Sequence, residues 1–401
     1  MTKQTRWEQL EREATRQEKR WRQSLSIDCT YQQSLERYLK KELVEFADYY
    51  RMSGISHLTK PQLIDELVSQ RDFSIYHLLQ NLTKPQQALF WEAKEQGYLP
   101  INNSATQKVG WWWRTTLLVP ATIDGKFVLI LPKDVRESPT LQLFEEEMKT
   151  HAIQNDAILT YTRGLLNTFG VLRFADLCAY LRNYQLIENS EQVQHVRTLL
   201  GVQQDFYEEL LLDGDLVVVP GLDHPYALFD QISDRADLQP VELTPAEVVK
   251  RAHESYYLEL SEYKNFARYL EKATTLAPHQ VESIMFDFGV QLNNQVSFHD
   301  ILNQFFKLLR ELTPKSMQDV IRFALAAQDV TPHYALKGHT PKFLSQQAEG
   351  QTLIQESAKS GATTHAFVEV ERSTRSVVYN SHVDRRCHRR STWELLPSSA
   401  L

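Results

Sequence analysis

Histidine, cysteine and carboxylate side chains could do catalysis or bind a metal in this chain, but their spacing favours neither. His333 and His339 flank Lys337-Gly338 in HYALKGHTP, a stretch that itself contains no cysteine or acidic residue. Because a closed zinc site needs four such ligands, we interpret it as a turn with two polar histidines. The sequence contains no G-x-x-x-x-G-K-[ST] loop, no G-x-G-x-x-G after a strand and no H-E-x-x-H. We predict no catalytic residues, no metal ligands and no cofactor in the chain as printed. An enzyme whose site is dispersed along the sequence is kept as a third hypothesis, after the two binding functions described below.

Lysine and arginine side chains could instead contact the phosphates of a nucleic acid. Lys40, Lys41, Arg51 and Lys60 lie in the segment YLKKELVEFADYYRMSGISHLTKPQLIDELVSQ, residues 38–70. Phosphate binding needs several such cations on one face. The same segment contains acidic residues that dilute this charge, namely Glu42, Glu45, Asp65 and Glu66. A small interaction or spacer module is therefore the alternative to a nucleic-acid-binding unit.

The apolar residues of this segment predict two helices joined by a loop. One helical face carries Leu39, Leu43, Phe46, Ala47 and Tyr50, and the other carries Leu63, Ile64 and Leu67. Ser53-Gly54 ends the first helix, and Thr59 caps the second, with Pro61 in its first turn. The unit, which we place at residues 30–72, resembles the SAP-like fold and the N-terminal domain of the Rho termination factor. This resemblance implies that Lys40, Lys41, Arg51 and Lys60 touch nucleic acid.

Residues 73–240 are predicted to form a winged-helix-like region with two hairpins. LTKPQ occurs at residues 58–62 and again at 82–86, and the second copy opens a helix that ends at Gly97. Apolar runs flank Asp124-Gly125 and predict a hairpin near 115–132. The pattern then repeats, with predicted helices at 157–169 and 173–181 around Gly170, a helix near 204–212, and a second hairpin over 215–229. Winged-helix units often bind DNA. However, Phe174, Leu177 and Leu181 on the candidate recognition helix look like core contacts.

The remaining segments complete a mainly α (α+β) fold of helical units with two short hairpins. Residues 1–29 are predicted to form a charged helix. Residues 241–346 are predicted to form a helical region, whose first helix begins with a capping box of Thr244 and Glu247. The net charge of −7 argues against a chain-wide nucleic-acid or membrane-surface field. Three cysteines far apart in sequence fit a reducing compartment. With no signal peptide and no run of 18 apolar residues, we predict a cytoplasmic protein without a membrane span.

Residues 347–401 form a tail of a different character, in which arginines crowd without an apolar pattern. We joined the last base of each codon in GATTHAFVEVERSTRSVV (361–378) to the first two bases of the next codon, with any synonymous codon allowed. The shifted frame can then encode RNDPC-x-CGSGKKYKKCC at every position. Residues 358–361 permit Lys-Val-Gly before it, and Tyr379-Asn380 permits a stop codon after it. We interpret the tail as disordered and produced by a frameshift that begins upstream of Lys359.

The shifted-frame string resembles the SEC-C motif, the zinc-binding tail first associated with the export ATPase SecA and found on many bacterial proteins. The resemblance implies a bacterial origin and a thiolate-rich zinc site in the intact form. In the chain as printed only Cys387, with His382 and His388 nearby, is left in the tail. We therefore expect zinc only if the SEC-C frame is intact.

These patterns predict a non-catalytic binding or adaptor protein of the SEC-C-containing type, with an unidentified protein partner. The alternative is a nucleic-acid-binding protein that acts through the Rho-N/SAP-like unit and the winged-helix-like units. Salt-dependent binding to DNA or RNA separates the two hypotheses.

Overall fold

The computed structural model describes residues 15, 18–50, 52–101, 115–207, 210–309 and 313–348. Over these ranges the chain is mainly helical, with two small three-stranded antiparallel sheets. The predicted mainly α fold class with short hairpins is therefore confirmed. Residues 349–401, including the whole arginine-rich segment, lie outside the described residues, as do Arg51 and Trp111 to Trp113.

Five helices lie between Tyr31 and Gln96 of the described residues. They are α1 (Tyr31–Leu35), α2 (Lys40–Tyr49), α3 (Lys60–Ser69), α4 (Arg71–Leu79) and α5 (Lys84–Gln96). Both LTKPQ copies begin a helix as predicted, because Thr59 and Thr83 are N-caps whose backbone N–H groups donate to a glutamine side chain three residues on. Leu39 differs from the prediction, since it is the exposed N-cap of α2 and not part of its buried face.

The first sheet follows α5 and contains β1 (Tyr98–Pro100), β2 (Val119–Ile123) and β3 (Lys126–Ile130) in the order β1-β3-β2. Asp124-Gly125 makes the β2–β3 turn as predicted, with positive φ at both residues. Gly97 ends α5 in the left-handed conformation and turns the chain into β1, which adds a third strand to the predicted pair.

The second sheet repeats this strand order after a long helix. The elements are α6 (Lys133–Arg136), α7 (Pro139–Leu143), α8 (Glu145–Phe169), β4 (Val171–Arg173), α9 (Phe174–Asn183), α10 (Ser190–Tyr207), β5 (Leu211–Asp213) and β6 (Leu216–Val218), with strands ordered β4-β6-β5. Gly170 lies at the predicted junction, where its φ of +74° ends α8.

The second hairpin does not lie where the sequence predicted it. Its turn is at Gly214, so the strands are β5 and β6, and residues 225–234 form helix α11 (Pro225–Asp234) instead of a strand. Asp213-Gly214 supplies the turn, and Pro225 in the first turn of α11 favours a helix. The helix predicted near 204–212 is also displaced, since α10 ends at Tyr207 and residues 211–212 belong to β5.

The C-terminal region is helical, as predicted. It contains α12 (Pro245–Arg251), a 3₁₀ turn (Tyr256–Glu259), α13 (Ser261–Ala273), α14 (Pro278–Asn293), α15 (Phe298–Leu308), α16 (Pro314–Val330) and a second 3₁₀ turn (Tyr334–Leu336). The capping box predicted for Thr244 and Glu247 is present, with reciprocal hydrogen bonds of 2.8 and 3.3 Å.

Three main apolar clusters hold these elements together. The first includes residues from Trp21 to Met148, the second residues from Ile158 to Val248, and the third residues from Tyr256 to Ala327. Residues on both sides of the predicted boundary between 72 and 73 contribute to the first cluster. Asn155 of α8 joins the first two clusters, because its buried amide donates to the carbonyls of Gln80 and Leu82.

Candidate functional site

The lysines predicted to touch nucleic acid lie at the starts of α2 and α3, and each is engaged by the protein itself. Lys60 Nζ donates to the carbonyl of Glu36 at 2.8 Å, and Lys40 Nζ donates to that of Ser56 at 3.5 Å. Lys41 Nζ lies 3.8 Å from the carboxylate of Glu45. The fourth predicted residue, Arg51, lies outside the described residues. The structure thus places Lys40 and Lys60 on the neighbouring helices α2 and α3, where the ammonium group of each donates to a backbone carbonyl.

The histidines and cysteines considered from sequence have structural roles. His333 and His339 close the predicted turn, since the N–H of His333 donates to the carbonyl of His339 at 3.1 Å. Cys178 is buried among apolar side chains, and burial raises the pKa of its thiol. Cys29 is likewise buried, and the loss of solvation raises the pKa of its thiol to about 11. Neither cysteine is a reactive thiolate at neutral pH.

Zinc does not fit the part of the chain that the structure describes. There, no three His, Cys, Asp or Glu side chains are grouped so that they could hold a metal ion. Cys29 and Cys178 belong to different apolar clusters. The tail residues Cys387, His382 and His388 lie outside the described ranges, so the expectation for the tail stays a prediction.

A cleft between the first two apolar clusters was not anticipated from sequence. We call it the histidine cleft; it has a volume of about 620 Å³ and lies between α4, α8 and the start of α10. Its lining includes three histidines, two glutamates, several amides and aromatic rings: His77, His151, His195, Glu147, Glu191, Gln80, Gln154, Gln192, Phe73 and Tyr76. Among the residues that the structure describes, no lysine or arginine lines it.

Asn155 determines the protonation of His195 at the base of this cleft. Both amide hydrogens of Asn155 are used by the carbonyls of Gln80 and Leu82, so its oxygen must accept from His195 Nε2 at 2.8 Å. Burial and, to a smaller extent, the nearby His151 lower the pKa of His195 to about 4. His195 is therefore neutral at physiological pH, with its proton on Nε2 and its Nδ1 left as an acceptor.

Tyr76 and His151 orient Glu147 at the other side of the cleft. The Tyr76 hydroxyl donates to Glu147 Oε1 at 2.7 Å, and His151 Nε2 lies 3.6 Å from the same oxygen. The hydrogen bond to Glu147 and burial raise the pKa of Tyr76 to about 12, so the phenol stays a donor. Oε2 of Glu147 makes no hydrogen bond or ion pair with the described residues. The carboxylate thus keeps one oxygen for a ligand.

An exposed apolar surface adjoins the cleft. We call it the aromatic edge and define it by Phe73, Tyr76, Leu143 and Phe144. Phe73 is 52% exposed and Leu143 is 76% exposed. The Tyr76 and Phe144 ring centroids are 5.2 Å apart, and Phe73 stacks on His77 at 5.8 Å. Because Phe73, Tyr76 and His77 also line the cleft, the edge and the cleft form one continuous surface.

The residues of this surface come from segments as far apart in sequence as those of Phe73 and His195, so periodicity did not bring them together. Glu147 with His151, like Phe73 with His77, is a local signal, since residues four apart share a helix face. His195 and Asn155 carry no pattern that separates them from ordinary helix residues.

Comparisons with protein-family models, with curated proteins and with solved structures gave no match to this chain. Within the described ranges, no helix is both long and apolar enough to cross a membrane. The site must therefore be interpreted from its own geometry.

Proposed function

We propose that this protein is a non-catalytic adaptor that binds a protein partner at the aromatic edge. The observation that carries the proposal is the exposure of Phe73, Leu143 and Phe144 next to a cleft with carboxylates at its rim. Exposed apolar groups that adjoin one another and are rimmed by polar residues are typical of protein interaction sites. Aromatic side chains supply much of the binding energy at such sites.

The proposal further places the chain among SEC-C-containing proteins whose motif was displaced by a frameshift. What supports this is the printed tail sequence and the possible codons of residues 358–380. The turn that precedes the tail is well anchored, because Tyr334 is buried and Lys337 Nζ donates to the carbonyl of Arg235 at 2.6 Å. A module attached beyond residue 348 would thus extend from a fixed point of the fold.

The adaptor role is tested by changing the aromatic edge. We would compare proteins captured by the full chain with those captured by a Phe73→Ser, Leu143→Ser, Phe144→Ser variant, using quantitative mass spectrometry. Leu308→Ser, which removes a 63%-exposed leucine from α15, is the matched control. A partner bound by the full chain and the control, and lost by the triple variant, is expected. If no protein is lost selectively, the edge is not the binding surface.

The alternative is nucleic-acid binding through the Rho-N/SAP-like unit and the winged-helix-like units. What favours it is the order of elements around the second sheet, where α9 and α10 precede the β5–β6 hairpin. Against it stand the partners of Lys40, Lys41 and Lys60, and the engagement of Arg197 of α10 with Asp215 and Phe174.

A binding measurement at low salt separates the two functions. We expect that fluorescence anisotropy with labelled single-stranded RNA and duplex DNA, at roughly 50 mM salt, shows no binding that depends on Lys40, Lys41, Arg51 and Lys60. The variant for comparison changes all four residues to glutamate. Salt-dependent binding that this variant loses would establish the alternative in place of the adaptor role.

A further inference from the structure

The histidine cleft has the charge of a site for cations, although it contains three imidazoles. Glu147 and Glu191 line it, whereas the described part of the chain contributes no lysine or arginine to its lining. His195 contributes no positive charge, because its pKa is about 4. Lys149, on the same helix as Glu147, pairs instead with Glu145 and Glu146 at 2.9 and 2.8 Å. A phosphate or carboxylate ligand would therefore meet two carboxylates with no described lysine or arginine beside them.

The aromatic rings at the mouth of the cleft suit a guanidinium or ammonium group. Phe73 and His77 stack with an interplanar angle of 12°, and Phe73 is the exposed member of the pair. A cation over such a ring is attracted by the negative face of its π-system. Oε2 of Glu147 can accept a charge-assisted hydrogen bond from the same cation, since Tyr76 and His151 approach only Oε1.

The size and surroundings of the cleft favour a polypeptide over a free amine. A volume of about 620 Å³ exceeds what one basic side chain fills. The amides of Gln80, Gln154 and Gln192 lie along the lining. One end of each bonds within the protein, as where Gln192 Oε1 accepts from the Glu188 N–H at 2.6 Å, so the other end is the part that can bond a peptide backbone. The aromatic edge continues the site outward with apolar surface that only a longer ligand would cover.

We propose that the histidine cleft binds a basic segment of the partner protein, in which an arginine or lysine side chain enters between Glu147 and Glu191 while a neighbouring apolar residue covers Phe73 and Phe144. This inference rests on the proposed adaptor function and assigns the chemistry of the partner. It distinguishes two parts of one surface: the edge supplies apolar contact, and the cleft selects positive charge.

The test uses the full chain and fluorescein-labelled peptides that alternate arginine with leucine. In the matched peptide, citrulline replaces arginine, which keeps the shape of the side chain and removes its charge. Anisotropy titration is expected to show at least tenfold weaker binding of the citrulline peptide, which corresponds to about 1.4 kcal/mol. Equal binding of the two peptides, or no binding of the arginine peptide up to about 1 mM, would overturn the inference.

Protein variants locate the binding. The double variant Glu147→Gln, Glu191→Gln is expected to bind the arginine peptide at least tenfold more weakly and to bind the citrulline peptide as the wild type does. Glu145→Gln with Glu146→Gln removes the same charge from the exposed, lysine-paired side of α8 and is expected to have little effect. An equal loss in both double variants would show non-specific attraction and contradict the proposed site.

Two further outcomes separate this inference from the adaptor role. Free agmatine can be added in competition with the labelled arginine peptide. If agmatine displaces the peptide completely at a concentration equal to the peptide's dissociation constant, the cleft binds small amines and the peptide proposal is refuted. If the partner captured by the full chain is lost on changing the aromatic edge but kept by the Glu147→Gln, Glu191→Gln variant, the adaptor role stands and the basic-segment inference fails.

Discussion

Among single residues, His195 shows how burial determines charge while one hydrogen bond determines the tautomer. Asn155 holds the imidazole through Nε2 at 2.8 Å, and burial keeps its pKa near 4. The unfolded chain binds a proton on this side chain below about pH 6.5, where the folded chain does not. Stability contributed by neutral His195 is therefore present above pH 6.5 and is lost as the pH falls towards 4.

The corresponding prediction concerns the free energy of unfolding measured by urea denaturation at pH 7.5 and pH 5.0. His195→Gln keeps a donor for Asn155 but cannot titrate, so the loss of stability between the two pH values should shrink by about 1–2 kcal/mol. His299→Gln, at an exposed position on α15, is the control and should leave the loss unchanged. An identical pH dependence in wild type and His195→Gln would contradict the assigned protonation.

The lysines predicted to contact nucleic acid show why residue type alone is a weak guide to binding. Lys40 and Lys60 each donate to a backbone carbonyl in the segment that precedes the other's helix, that of Ser56 at 3.5 Å and that of Glu36 at 2.8 Å. A lysine ammonium that bonds a carbonyl has less freedom to follow a phosphate backbone. Their sequence positions could not reveal these contacts, because the acceptors are 16 and 24 residues away.

For helices, the contact between α8 and α12 depends on a glycine that the sequence did not mark. An added Cβ at Gly164 would overlap the carbonyl of Val248, whose carbonyl carbon would lie at 2.9 Å. Helices approach this closely only where a side chain is missing. Gly201, inside α10, has nothing within 4 Å of the same added atom.

These two glycines make a matched pair for a stability measurement. Gly164→Ala is expected to lower the free energy of unfolding by about 1–3 kcal/mol, because the added methyl group forces α8 and α12 apart. Gly201→Ala is expected to raise it by roughly 0.5–1 kcal/mol, since alanine favours the helix and meets no neighbour. Both values follow from chemical denaturation monitored by circular dichroism. Equal effects of the two substitutions would show that α8 and α12 do not approach closely.

Secondary structure near strong local signals was predictable, and structure away from them was not. Thr59, Thr244 and Gly97 begin or end helices as expected, because capping depends on groups within three or four residues. The second hairpin was misplaced, since apolar runs on both sides of Gly214 and Gly221 offer two registers and local pattern does not choose between them. The pairing of β6 with β4 selects the Gly214 turn.

For the whole molecule, the reading-frame hypothesis makes a prediction at the level of the gene. The codons for Arg372 and Ser376 should be of the AG type, and an insertion or deletion should lie upstream of Lys359 relative to an intact frame. Nucleotide sequencing of the gene checks both statements. Any other codon class at Arg372 or Ser376 removes the lysines from the shifted string and disproves the interpretation. A chain with the restored frame is expected to retain one zinc ion by elemental analysis, and to lose it when two of the restored cysteines become serine.

The chain by itself determined its class, its helix caps and the Asp124-Gly125 turn, because each depends on composition or on groups close in sequence. Only the tertiary structure decided which surface can bind a partner. Phe73, Glu147 and His195 lie on three different helices and line one cleft. They do so because the first two apolar clusters pack against each other, with Asn155 bonded to residues on both sides. Burial, tautomer and net charge of a cleft arise from such long-range packing, and no local pattern encodes them.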